Sequence, residues 1–263
     1  MRLFDTHAHY WDPRFCDELG NAELDALLRE LLSGSVPHIV NVATDPASAR
    51  LAVTQAERYD GMLTALGIHP NDGQALADPE AALAEIEALL RDPRSKAVAL
   101  GEIGLDYHYD GTDKDKQKAL FRAQMHLAER LSLPVVIHDR DAHGDCLDIV
   151  SEFPNVKGIF HSFSGSAEMA RELTKRGYCI SFSGTVSFKN AARVREVAAS
   201  VSHDRLLIET DCPYLAPHPH RGTLNHSGYL AFTNEALAAA VGLTPEETAE
   251  LTFENARRVF NLK

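Results

Sequence analysis

At 263 residues, with 44% hydrophobic and 24% charged side chains, the chain is long enough for one large core and has the composition of an ordinary globular protein. A net charge of −12 argues against a general duplex-binding surface, which needs a broad Lys/Arg field, but not against a phosphate substrate in a pocket where bound cations reverse the local field. No apolar run is long enough to span a bilayer, MRLFDTHAHY lacks a signal-peptide core, and Cys16, Cys146, Cys179 and Cys212 show no disulfide-like spacing. A cytoplasmic protein is expected, with no membrane partner and no obligate protein partner that can be inferred.

Eight short β-rich runs follow one another along the chain: RLFDTH (2–7), HIVNVA (38–43), MLTALGI (62–68), AVALGEI (97–103), PVVIH (134–138), KGIFHS (157–162), YCISFS (178–183) and RLLIET (205–210). Segments with the 3.6-residue period and good helix formers lie among them, at 23–32, 46–59, 79–92, 116–131, 167–177 and 192–201. Two more follow the last strand, at 232–242 and 244–260, where Thr244, Pro245 and Glu247 spell a helix start with a capping box. Strand and helix in alternation over about 250 residues predict an α/β fold of the (β/α)8 TIM-barrel type, a single domain over residues 1–263.

The ends of these strands carry side chains that ligate metals: His7 and His9, Glu102, His138, His161, and Glu209 with Asp211. Residues two apart on a strand share a face, so each HxH and ExD pair is expected to aim at one centre. In such a barrel the carboxyl ends of the strands meet at one mouth, and converging carboxylates and imidazoles are costly to bury without cations between them. The pattern predicts a hydrolytic metal site.

The motifs DTHAH, NVATD, LGIHP, GEIGLDYHYD, VVIHDRDA, FHSFSGS, ISFSGTVSFKNA and ETDCPYLAP stand in one order from end to end, and in this the chain resembles the TatD-type metal-dependent hydrolases, a family of deoxyribonucleases. The resemblance implies that His7, His9, Glu102 and Asp211 hold one divalent ion and that Glu102 bridges to a second, completed by His138 and His161. Glu209 would orient a ligand histidine through its other ring nitrogen. A water between two such ions loses its proton near neutral pH, and Asp211 is the expected acceptor. Histidine-rich ligation favours Zn²⁺ or Mn²⁺, whereas the family's use of Mg²⁺ does not follow from this spacing.

For His69, after the third strand, the resemblance suggests a contact to substrate phosphate, against the plainer reading of a local cap. Arg140, Lys189 and Arg221 also follow strand ends and could form a cationic rim. Two positions depart from the family pattern. Ser162 stands where Cys is frequent, and Leu224–Asn225–His226–Ser227 replaces an Arg-Asn-Glu-Pro-like run in a loop that also carries His218 and His220. A solvated loop is the default for these histidines, the alternative being an added metal contact.

DNA is the substrate the resemblance implies, and a narrow barrel mouth without a basic groove points to exonuclease action at single-stranded ends. The alternative is a metal-dependent ester or amide hydrolase, such as an aminoacyl-tRNA deacylase or a lactonase-like enzyme, because the same ions polarise a carbonyl. A non-catalytic role would require a lost ligand, and none is lost.

Overall fold

The computed structural model describes residues 1–262. Its eight strands are β1 (Phe4–Ala8), β2 (His38–Val42), β3 (Met62–Leu66), β4 (Ala97–Asp106), β5 (Val135–Arg140), β6 (Gly158–Phe160), β7 (Cys179–Phe182) and β8 (Leu206–Ile208). They pair in parallel in the order β1 to β8, and an Ala8–Cys212 bridge joins the two edges into a barrel. Helices α1 (Pro13–Leu19) and α2 (Asn21–Ser33) follow β1, and α3 (Pro46–Arg58) follows β2. Next come α4 (Pro70–Ala75), α5 (Pro79–Arg91), α6 (Lys114–Leu131), α7 (His143–Glu152), α8 (Ala167–Lys175), α9 (Ala192–Ser200), α10 (Leu230–Val241) and α11 (Pro245–Val259). The predicted capping box at Thr244 is present, with Glu247 N donating to Thr244 Oγ1 at 3.2 Å.

Helices α1, α4 and α7 had no counterpart in the periodicity. Two of them, α1 and α4, are too short for the pattern to repeat, and α7 has Ala142 at its N-cap, which offers no side-chain cap, so it carries no start signal.

Period-2 alternation divides the core. Phe4, Val40, Val42, Ala65, Ala99, Val136, Ile159, Cys179 and Leu207 form one cluster, to which all eight strands contribute, with Phe253, Ala256 and Phe260 packed against it. Their strand neighbours Ile39, Leu100, Val135, Ile137, Phe160, Ile180, Leu206 and Ile208 pack outward with helix residues such as Leu28, Phe121, Ile149 and Leu237. Across the interior Thr6 Oγ1 meets Ser181 Oγ at 3.3 Å.

Two breaks in this alternation matter for function. Asp5 pairs with Ile39 but Ala8 with Asn41, and Leu100 pairs with Val135 but Ile103 with Ile137, so β1 carries an extra residue against β2 and β4 one against β5. Such bulges re-aim the side chains beyond them, here around His7 and Glu102. Beyond the second, Gly104 sits at φ 136, where only glycine is at ease, and a β-carbon there would strike the His138 carbonyl.

The seam between β1 and β8 is closed largely by side chains. Asp5 accepts from Thr210 N at 2.9 Å, Thr210 Oγ1 at 2.6 Å and Ser227 Oγ at 2.7 Å, and Thr6 Oγ1 donates to Ile208 O at 2.9 Å. Burial pushes the Asp5 carboxyl up to about 6 despite these hydrogen bonds. Asp5→Ala leaves buried donors without their acceptor and should destabilise the ion-free protein by about 3 kcal/mol, read as a lower urea midpoint at unchanged m.

Candidate metal centre

His7 lies in β1, and His9 follows that strand's last residue. His9 Nδ1 donates to Val42 O at 2.8 Å, which leaves the lone pair on Nε2. That nitrogen faces His7 Nε2 at 3.1 Å and Asp211 Oδ1 at 3.3 Å, while Glu102 Oε2 lies 3.5 Å from His7 Nε2. Four donors on a tetrahedral ion with bonds near 2.0 Å would be roughly 3.3 Å apart, so this group has the spacing of a single coordination shell.

The other oxygen of Glu102 serves a second group. Oε1 lies 2.8 Å from both His138 Nδ1 and His161 Nε2, and those nitrogens are 3.2 Å apart. His161 is turned by Glu209, whose Oε1 sits 3.3 Å from His161 Nδ1 and accepts from Ser162 N at 2.7 Å. Glu209 therefore stands behind His161.

The ExD expectation changes in one respect. β8 ends at Ile208, and Asp211 has φ 56, so Glu209 and Asp211 are not a same-face strand pair. Glu209 reaches His161, whereas the left-handed turn swings Asp211 toward His7 and His9.

Electrostatics bind the two groups together. Burial opposes ionisation of Glu102, but the charge of His161 above all, together with the His138 hydrogen bond, holds it well below the carboxylate range. Asp211 is held below its ordinary value in the same way, burial being outweighed chiefly by the His9 hydrogen bond. Burial pulls His9, His138 and His161 down, yet their carboxylate partners raise all three, His161 most clearly. His7 is lowered by burial and by the neighbouring His161.

His69 caps α4, its Nδ1 accepting from Asn71 N at 3.2 Å, and it also faces the centre, with Nε2 3.8 Å from Glu102 Oε1. Burial and the nearby His138 lower it to about 3, which keeps it neutral. The proposed rim is spread out. Arg140 packs over Tyr109 at 5.5 Å, Arg221 over Phe188 at 4.1 Å, and Lys189 is exposed beside Phe188 in sequence. None of the three has an ion-pair partner among the described residues.

The loop histidines stand apart from the ligand groups among the described residues. His226 Nδ1 accepts from Gly228 N at 3.1 Å and its ring lies 4.1 Å from Tyr229, on which His220 also stacks at 4.0 Å. Asn225 holds Thr210 O and Tyr214 O at 2.9 and 2.6 Å, and so braces the turn carrying Asp211.

The family description "TatD related DNase" matches residues 4–261. The chain belongs to the TatD family. It is 42% identical over 262 residues to the protein named uncharacterized metal-dependent hydrolase YabD of Bacillus subtilis (strain 168), covering 99% of both chains. With the uncharacterized metal-dependent hydrolase TatD of Mycobacterium tuberculosis (strain ATCC 25618 / H37Rv) it shares 38% over 269 residues, covering 99% of this chain and 98% of the relative. The crystal structure of YJJV, a TatD homologue from Escherichia coli K12, superimposes with a TM-score of 0.90 at 29% identity, covering 100% of this chain and 99% of that one.

Two features of this TatD-family site had been missed. Asp106 ends β4 with Oδ2 3.4 Å from His138 Nε2; its parity with Glu102, four residues earlier on one strand, was a usable signal. Arg14 packs 4.0 Å over Tyr214, whose hydroxyl donates to Asp12 at 3.0 Å, and with Phe188 and Arg221 they line a groove of about 710 Å³. Nothing local in the sequence marks Arg14.

The raised histidines give a signed pH dependence. Their contribution to the ion-free fold is fully present below the unfolded imidazole value of 6.5 and is lost as pH rises through the raised folded values. The ion-free protein should therefore lose stability above about pH 6.5. Divalent ions should displace these protons, so calorimetry in buffers of different ionisation enthalpy should show net proton release on binding.

Proposed function

We propose that this TatD-family metal-dependent hydrolase cuts phosphodiester bonds in DNA, working from single-stranded ends at a centre of two divalent ions. The observation that carries the reading is the double engagement of Glu102, with Oε2 facing His7 and His9 and Oε1 facing His138 and His161. His7, His9, Glu102 and Asp211 would hold one ion, and Glu102, His138 and His161 the other. Mg²⁺, Mn²⁺ or Zn²⁺ bound there supplies a Lewis-acidic centre that acidifies water and polarises the scissile phosphate.

The protein's own groups do the rest. Asp211, ionised and with its side chain 14% exposed, is the more open of the two carboxylates and offers the acceptor for the proton of the attacking water. His69, neutral and with Nδ1 occupied by Asn71 N, presents Nε2–H to a phosphate oxygen. Arg140, Lys189 and Arg221, none of them ion-paired among the described residues, are free to meet the strand's backbone charges. The family description supports DNA as the substrate. No helix among the described residues is long and apolar enough to cross a membrane.

The direct test incubates ion-stripped protein with end-labelled single-stranded and duplex DNA, adding Mg²⁺, Mn²⁺ or Zn²⁺ singly, beside a panel of carboxylic esters and amides. Stepwise shortening of single strands only when an ion is added supports the reading. Ester or amide turnover with intact DNA replaces it with the hydrolase alternative.

Two sets of substitutions sharpen this. Glu102→Ala should abolish turnover and lower metal content at both positions by elemental analysis, whereas Asp211→Asn should cut turnover on the order of 10²-fold while only partly weakening binding. Neutralising Lys189 and Arg221 together should raise KM for an oligonucleotide and flatten its salt dependence, with turnover at saturation little changed.

A further inference from the structure

A third set of donor atoms, from His69, Asp106 and His138, also lies close enough to suggest an ion. The protons argue otherwise. Asn71 N donates to His69 Nδ1 at 3.2 Å, so the neutral ring carries its hydrogen on Nε2 and has no lone pair to offer there. His138 has its two nitrogens in different surroundings. Nδ1 faces Glu102 Oε1 at 2.8 Å and His161 Nε2 at 3.2 Å, while Nε2 is buried, satisfied by no hydrogen bond, and has Asp106 Oδ2 as its ion-pair neighbour 3.4 Å away.

We propose that Asp106 is a positioning residue that holds His138 in the tautomer with its proton on Nε2, leaving Nδ1 free for a divalent cation. The inference rests on the two-ion reading of Glu102 and extends it outward by one layer. Asp106 is itself held on every side. Oδ2 accepts from Asn71 Nδ2 at 2.8 Å and Oδ1 from His108 N at 2.9 Å. Gln117 clamps its backbone, Oε1 accepting from Asp106 N at 2.9 Å and Nε2 donating to Asp106 O at 3.0 Å.

The carboxylate is buried, and among the described residues His138 is its only ion-pair partner, with His69 the next imidazole within reach of its charge. Glu209 stands in the same relation to His161. Both histidines facing Glu102 Oε1 are thus backed by carboxylates, which fix ring orientation and raise basicity, whereas His9 is backed by the neutral Val42 carbonyl. Asp106 accordingly acts on one ion position more than on the other.

Asp106→Asn is the decisive substitution, because the amide keeps the size and one acceptor but can turn an N–H toward His138 Nε2, favouring the opposite tautomer. The parent and the variant are titrated with Zn²⁺ against a competing chelator, and the imidazole ¹⁵N signals of the loaded proteins are recorded, with His138 assigned by its loss in His138→Gln. The expected result is two ions in the parent, one unchanged in Asp106→Asn and the other weakened on the order of 10- to 100-fold, with the His138 proton on Nε2 in the loaded parent and moved to Nδ1 in the variant wherever the weakened position is empty. Should Asp106→Asn melt early, Asn71→Ala, which removes one arm holding the carboxylate, gives a smaller weakening of the same ion.

Two ions bound by the parent and both kept at parent affinity in these variants overturns the positioning role and leaves the two-ion reading standing. A third ion in the parent that disappears in Asp106→Asn overturns it in favour of a cation site. Fewer than two ions in the parent overturns the two-ion reading and this inference with it. Failure to cleave DNA touches neither titration.

Discussion

Lone pairs that face one another at close range repel, and the mouth of this barrel brings several together. His7 Nε2 and His9 Nε2 are 3.1 Å apart, and His138 Nδ1 and His161 Nε2 are 3.2 Å apart, with Glu102 reaching toward both pairs. Only positive charge between them makes such an arrangement favourable. In the ion-free protein protons take that part, which is why His9, His138 and His161 are raised while Glu102 and Asp211 are lowered. The surroundings decide which nitrogen of each ring faces inward. Val42 O holds His9 and Glu209 turns His161, and both contacts lie outside the converging donors.

The barrel was legible in the sequence because its signal is repetitive. Each strand run ended near the observed strand, and the inner cluster follows the period-2 pattern through Val40, Val42, Val136, Ile159 and Leu207. The site residues were legible as residue types at strand ends, and the structure brings His7, His9, Glu102, His138, His161 and Asp211 together. The path by which they converge was not legible. Alternation would put His7 on the opposite face from Thr6, and the extra residues in β1 and β4 and the left-handed turn at Asp211 are backbone irregularities that no side-chain pattern announces. Asp106 was hidden for another reason: its partners Asn71, His108 and Gln117 come from separate elements.

The run after β8 holds both the turn at Asp211 and the seam. Asn225 ties down the carbonyls of Thr210 and Tyr214 on either side of Asp211, and Ser227 reaches Asp5 across the seam. His220 stacks on Tyr229 and His226 packs against the same ring, away from the ligand groups. The local role of the segment is mechanical.

The seam also joins the two ends of the chain. Asp211 follows His7 and His9 by about 200 residues, yet Asp211 N donates to His7 O at 2.9 Å and His9 N to Cys212 O at 2.7 Å. A contact so distant in sequence forms late, because the intervening loop must close first. A nascent chain whose residue 211 is still inside the ribosome therefore presents two histidines without the carboxylate that completes their set.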